Sequence, residues 1–381
     1  MSALLAPAEL RDLMQVVLKE RTESIPIPEE EGRGLDTDLW QEIAALGWLS
    51  LAVPEAQGGL GLGFEHLGVL YEELGRALAA VPVLPTMVAA KALADHSDDD
   101  RARQLLTAIV AGDCIIAVAI DPDGQHVEVS GAGTIGGSID DLLFADVADW
   151  LLLPVRFEGA MGLAVIPADA PGVTVVKQPV VDLTRSIARV ELNSVPEDTA
   201  IIISMDERAW NGLLDHSAMG LACESVGAAA SLFDRTIDYL KLRRQFGRPI
   251  GSFQALKHRM ADWKVRIEAA TVLARHCAAL LDGDQAEASA TVSAAKALSC
   301  DIFAGFAGDS IQLHGGIGFT WEHPCHLFLK RAKLSQQLFG SSMAHKERVA
   351  RLLFDRDGQA GVRPELNVHC NEGKKHGTGR G

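Results

Sequence analysis

The hydrophobic period of this chain changes twice, and a uniform fold cannot accommodate both periods. Up to about residue 113, and again from 204, apolar residues recur three or four apart; between 114 and 203 they gather in short β-branched runs. A helix buries one stripe whereas a strand buries alternate residues, so each period needs its own packing partner. The runs are Ile115–Ile120, His126–Val129, Leu151–Val155, Leu163–Ile166, Val173–Val176 and Ala188–Leu192, separated by Gly, Pro and Asp turns. They predict an all-β module of about seven or eight short strands, set between two helical regions.

The first helical region is alanine- and leucine-rich and is interrupted by an acidic loop, Ile25-Pro26-Ile27-Pro28-Glu29-Glu30-Glu31. Asp38-Leu39-Trp40-Gln41 can cap a helix that continues to Leu46. The run Gln57-Gly58-Gly59-Leu60-Gly61-Leu62-Gly63 lacks the lysine of a P-loop and the spacing of a dinucleotide fingerprint, so it reads as a loop between helices.

In the second helical region, Ser204 and Glu207 form an S-x-x-E capping box. The stripe that follows, Trp210, Leu214, Ala218, Leu221, Ala229, Phe233, Ile237 and Leu240, stops at Gly247 and Pro249. Ser252 is the expected N-cap of the next helix, which ends at Asp282-Gly283. A third helix is predicted from about Gln285 to Ile311 and a fourth from Pro324 to Phe339, with Gly340-Ser341-Ser342 before a last one at Met343–Phe354. Beyond Gly358 the polar, glycine-rich composition predicts disorder.

A chain of 381 residues can hold two or three domains. It has no apolar run of the roughly 20 residues that span a bilayer, and its start, Met1-Ser2-Ala3-Leu4-Leu5-Ala6-Pro7, is soon followed by Glu9, Arg11 and Asp12, unlike a signal peptide. A cytoplasmic location is expected. The net charge of −16 opposes nonspecific binding to nucleic acid or an anionic membrane, so an anionic ligand needs a local basic site. Cys114, Cys223, Cys277, Cys300, Cys325 and Cys370 contain no C-x-x-C pair and read as reduced thiols.

Such a basic site lies at the break between the two long helices, in Arg243-Arg244-Gln245-Phe246-Gly247 and the following Phe253-Gln254. Two guanidinium forks, an amide and a ring at one corner suit a phosphate-bearing ligand with an aromatic part. The bland alternative is a solvated loop in which Phe246 plugs a gap.

With Gln312-Leu313-His314-Gly315-Gly316-Ile317-Gly318-Phe319 about 70 residues further on, the chain resembles the acyl-CoA dehydrogenase family over residues 5 to 355. The resemblance implies an α+β multidomain architecture: an N-terminal helical domain at 1–113, a middle β-barrel or sandwich domain at 114–203, a C-terminal four-helix bundle at 204–358, and a tail at 359–381. It also implies FAD, an acyl-CoA thioester, and a glutamate that removes the α-proton while the β-hydride passes to the flavin. In the family the arginine turn and the glycine loop reach FAD held mainly by a neighbouring subunit. Arg243, Gln245, Phe246, Phe253, Gln254, Gln312, Leu313, His314, Gly315 and Gly316 are therefore candidate cofactor-binding residues.

The catalytic positions depart from the family pattern. In Lys330-Arg331-Ala332-Lys333-Leu334-Ser335-Gln336-Gln337-Leu338-Phe339-Gly340-Ser341 the base position holds Phe339, which accepts no proton. The earlier-helix position used by some relatives is Ser217, beside Asp215 and His216, and an arginine expected nearby is Ala218. The β module has Ile120-Asp121-Pro122-Asp123-Gly124-Gln125 without the usual Gly-Ser-Asp, and Asp141-Leu142-Leu143-Phe144 where a hydroxyl is expected. The resemblance thus implies a base-lacking partner of a related catalytic subunit, in an α2β2 hetero-oligomer like those that act on bulky CoA thioesters such as sterol side chains. Two alternatives remain: a self-sufficient enzyme with Asp215, His216 or another acid as base, and a non-catalytic relative without flavin. His314, His323, Cys325 and His326 match no zinc spacing, and no metal is expected.

Overall fold

The computed structural model describes residues 5–354 other than 26–33, 97–98, 121–123, 158 and 284. Most of the acidic loop, the Asp121-Pro122-Asp123 segment, Cys370 and the tail 359–381 lie outside the described residues.

Six helices come first: α1 Pro7–Val17, α2 Lys19–Glu23, α3 Thr37–Ala45, α4 Phe64–Arg76, α5 Val83–His96 and α6 Asp100–Ala111. The Asp36 carboxylate caps α3 by accepting from the Leu39 N–H at 2.9 Å, two residues before the predicted cap. The glycine-rich run after residue 57 is a loop between helices, as read from the sequence.

Eight strands follow: β1 Ile116–Val118, β2 Val127–Val129, β3 Thr134–Leu143, β4 Trp150–Phe157, β5 Ala160–Pro167, β6 Val173–Gln178, β7 Ile187–Pro196 and β8 Ile201–Ser204. They form one mixed sheet in the order β6-β7-β3-β2-β4-β5-β8, with β1 also paired to β4. β1 and β2 run parallel to β4, and the remaining ladders are antiparallel. The sequence did not reveal β3, because Gly136-Gly137 and Asp140-Asp141 break its apolar alternation. Register shifts against β7 fall at both places, where a bulge admits residues that a flat strand excludes.

The C-terminal helices are α7 Glu207–Leu242, α8 Gln254–Leu281, α9 Gln285–His314, α10 Cys325–Ser335 and α11 Ser342–Phe354. Two predicted caps are corrected. Ser204 ends β8, and α7 is instead capped by Asp206, which accepts from the Ala209 N–H at 2.7 Å. Ser252 closes a short 3-10 turn by donating to the Pro249 carbonyl, and Phe253 takes the N-cap position of α8. In both cases the serine is already engaged in the preceding element, Ser204 in the β5–β8 ladder and Ser252 in its own 3-10 turn.

α4 lies across α7 at very short range. A Cβ on Gly227 would sit 1.9 Å from the Glu72 carbonyl oxygen, and one on Gly75 would sit 2.1 Å from that of Glu224. This approach seats Tyr71 against α7. One buried cation then ties the three regions together. Arg331 of α10 donates to Asp182 at 2.8 Å, to Glu224 of α7 at 2.6 Å and to the Ala79 carbonyl at 3.1 Å. Arg185, in the same β6–β7 loop as Asp182, also pairs with Glu224. Burial, with the Arg185 charge, lowers the pKa of Arg331 from its usual range, and Asp182 and Glu224 oppose that shift. Removing one member of such a group leaves uncompensated buried charge.

Candidate functional site

The two motif segments meet at one end of the helical bundle. The Arg243 N–H closes the last turn of α7 by donating to the Tyr239 carbonyl at 2.8 Å. Arg244–Gln245 and Arg248–Pro249 then form a two-stranded hairpin whose tip is Phe246-Gly247, both left-handed. Tyr239 joins this turn to the glycine loop. Its ring stacks on His314 at 4.3 Å, and its hydroxyl donates to the His314 carbonyl at 3.1 Å.

Most of this corner faces outward. Arg243, Arg244, Gln245, Gln254, Gln312, Gly315 and Gly316 are exposed, whereas Leu313 and His314 are buried beneath them. Phe246 is 90 % exposed and Phe319 is 73 % exposed, so Phe246 is not a gap-filler. Its ring meets Phe253 edge-on at 6.1 Å, and the Arg248 guanidinium lies over Phe253 at 4.1 Å. No carboxylate among the described residues pairs with Arg243 or Arg244. Gly315 has φ +64°, and a Cβ placed there or on Gly316 would meet nothing within 4 Å. The corner therefore offers free guanidinium charge, open backbone and uncovered rings, a set that fits the pyrophosphate and flat rings of FAD.

The glycine loop rests on a packed base. His314, His323 and Cys325 place their ligand atoms within 4.8 Å of one another, a proximity that chain spacing did not reveal. His314 Nδ1 donates to the Ser310 carbonyl at 2.8 Å, and His323 Nδ1 accepts from the Cys325 N–H at 3.3 Å. Burial pushes the Cys325 thiol up to about 11 and His323 down to about 4. The adjacent Arg235 charge opposes a cation here.

The second region is a cleft of about 320 Å³ between the sheet and the C-terminal helices. Phe339, only 8 % exposed, lines it with Leu338, Leu334, Leu142 and Leu143. The turn that presents Phe339 is clamped from inside. His345 Nε2 donates to the Phe339 carbonyl at 2.9 Å, while the buried Lys296 ammonium donates to the carbonyls of Gly340 and, at 3.2 Å, Gln336. Phe339 itself is left-handed, φ +53°, a conformation that costs a non-glycine residue free energy and persists because the clamp holds it.

The charged groups lining this cleft are Asp140 and Asp141, with no cation among the described residues there. Asp140 pairs with Arg189 at 3.4 Å, and Asp141 is exposed. Lys296, His345 and Tyr239 were not singled out from the sequence, because their roles depend on contacts across helices.

Neither Asp215 nor His216 lines the cleft. Asp215 is buried against Arg348 at 2.5 Å and also accepts from Ser289. Burial raises its carboxyl from the usual range, and Arg348 offsets part of that rise. His216 Nε2 meets the Tyr71 hydroxyl at 2.9 Å, and burial holds its ring down to about 3.

Known proteins agree with the architecture. Residues 7–113 match the model for the N-terminal domain of acyl-CoA dehydrogenases, and residues 208–354 match the model for their C-terminal domain. The chain is 37 % identical over 313 residues to acyl-CoA dehydrogenase IpdE2 of Mycobacterium tuberculosis, covering 81 % of this chain and 84 % of that one. A variant of the Tcur3481-Tcur3483 steroid ACAD aligns with TM-score 0.83 and 30 % identity over 92 % of this chain and 98 % of that one. The ChsE4-ChsE5 complex of Mycobacterium tuberculosis aligns with TM-score 0.83 and 26 % identity over 91 % and 96 %. Among the described residues, no helix is long and apolar enough to cross a membrane.

Proposed function

The chain belongs to the acyl-CoA dehydrogenase family, and on that premise we propose that it is the base-lacking subunit of a hetero-oligomer whose related partner carries the catalytic glutamate. FAD is the cofactor, and when bound it supplies the hydride acceptor for α,β-dehydrogenation of an acyl-CoA thioester. The observation that carries this reading is the clamped phenyl ring of Phe339 at the base position.

On this reading the chain's own cleft does no proton abstraction, and the exposed corner is the working surface. Arg243 would hold the pyrophosphate of FAD seated mainly in the partner. The backbone at Gly315 and Gly316 would approach the same group, and the Phe246 ring would be covered on assembly. The ChsE4-ChsE5 relative is a complex of two named chains, which supports a mixed assembly, and α2β2 is the simplest symmetric form that pairs each such corner with one flavin. The steroid ACAD relative supports a bulky, steroid-derived acyl group as substrate.

A second reading, a self-sufficient enzyme, draws support from Asp141, the exposed carboxylate lining the cleft. Purifying the chain alone and with a related glutamate-bearing subunit separates the two. The expected result is little flavin and no acyl-CoA oxidation for the lone chain, with stoichiometric flavin and turnover in the mixed complex. Full flavin occupancy and turnover by the lone chain would overturn the proposal.

A further inference from the structure

The outer face of α8 leaves apolar side chains in solvent. Val265 and Val272 are 70 % and 67 % exposed, and Ala261 and Ala269 are exposed with them. Beside the N-terminal part of α8, where it meets α7, runs a groove of about 500 Å³ with an apolar wall that includes Phe233, Ile237, Leu256 and Met260. Lys241, Lys257 and Lys264 rim it. Lys241 pairs with Asp238 at 3.4 Å and Lys264 with Glu268 at 2.5 Å, both exposed contacts of the kind that contribute little. Lys257 has no ion-pair partner among the described residues.

The same chain carries a matching surface. Glu9, Asp12, Leu13 and Val16 fall at helical spacing on one side of α1, and all four are exposed, Leu13 and Val16 by more than half. Asp12, like Lys257, has no ion-pair partner among the described residues. Two apolar side chains beside carboxylates complement an apolar groove rimmed by lysines. A chain of net charge −16 repels its own copies except where an acidic face meets a cationic one.

α1 and the groove stand at opposite ends of one flank of α8. Lys257, Lys264 and Arg275 share that flank, because their spacings of seven and eleven residues are close to whole turns. The groove borders the two lysines. Arg275 donates to Glu72 of α4 at 2.7 Å, and Glu72 also accepts from Arg11 of α1 at 3.0 Å, so α1 stands beside the far end. A twofold axis passing between Glu268 and Ala269 exchanges the two ends and keeps the flank on one side. It sets Val265 against the second copy's Val272 and carries each α1 to the other copy's groove.

We infer that this surface joins two copies of the chain, with α8 antiparallel to its counterpart and the outer face of α1 seated over the lysine-rimmed groove. Arg243, Arg244 and Phe246 do not line the groove, so the flavin-facing corner stays open to the catalytic subunit. In the hetero-oligomer proposed above, the contact would link the two base-lacking chains. It does not rest on that reading, because one chain supplies both halves of the contact.

Sedimentation of the lone full chain between about 1 and about 100 μM tests it, reading mass alone and not flavin or turnover. The expected result is a reversible dimer that Val265→Glu weakens about a hundredfold, by burying an unpaired charge against the second copy. Val272→Glu serves as the second disruption should the first variant not fold. Lys257→Glu and Asp12→Lys should each weaken the dimer about tenfold, and the two together should restore most of the loss. A lone chain that stays monomeric, a dimer indifferent to both valine variants, or a charge swap that restores nothing would each overturn the inference. So would loss of only the mixed complex in Val265→Glu, which would assign this face to the catalytic subunit.

Discussion

The cleft at Phe339 and the corner at Arg243 are built on opposite principles. Around Phe339 the available backbone carbonyls are taken, by His345, Lys296 and the surrounding turn, and the ring is buried. Around Arg243 the guanidinium, the glycine backbone and the Phe246 ring are left uncovered. Native chains rarely leave a large ring and free cations together in solvent without a partner for them. The contrast teaches that the Phe339 turn satisfies its polar groups from within the chain, whereas the Arg243 corner leaves charge, backbone and ring uncovered, as the proposed partner-facing role requires.

The largest expected effect comes from disturbing the interior. Arg331→Met strands Asp182 against α10 and removes the tie to Ala79, so urea unfolding should show a loss of about 3–5 kcal/mol. A loss below about 1 kcal/mol would mean that the three regions are not braced through this cation. At the corner, Arg243→Glu should lower flavin affinity of the mixed complex by about 2–3 kcal/mol, the scale of a lost charge-assisted bond, with the unfolding midpoint of the lone chain unchanged. Equal damage to stability and flavin affinity would erase the distinction between the two regions.

A pH series sharpens it further. Burial holds His216 down to about 3 and His345 down to about 4 in the fold, whereas both titrate near 6.5 when unfolded. The unfolded chain therefore binds more protons below 6.5, and stability falls as pH drops from 6.5 toward 4. Between pH 7 and 5 the expected loss is about 2 kcal/mol per histidine, measured by urea titration. The smallest effect belongs to Phe246→Ala, which should leave unfolding within about 0.5 kcal/mol while weakening association with the partner in sedimentation experiments.

Much of the architecture was legible because periodicity is a local property. The strands β4 to β7 and the long helices α7 to α9 lie where apolar spacing put them, and the family motifs at Arg243–Gly247 and Gln312–Phe319 mark one corner. The caps at Ser204 and Ser252 misled because a capping pattern does not show whether its serine is already engaged by a neighbouring strand or turn. β3 was hidden by bulges, which only its partner β7 makes intelligible. The polar interior was silent for the same reason. Lys296 and His345 belong to different helices, and neither has significance until both point at the turn that holds Phe339.

The chain's residues by themselves determined the three-part order of helices, strands and helices, the presence of a cationic turn and a glycine loop, and the absence of a proton acceptor at position 339. Tertiary structure decided the rest: that Tyr239 joins the two loops, that Asp215 is spent on Arg348, and that His216 is buried against Tyr71. The division has a physical cause. Hydrophobic period and residue type act over a few neighbours along the chain, whereas burial and hydrogen-bond partnership depend on groups that meet only after the helices and sheet have packed.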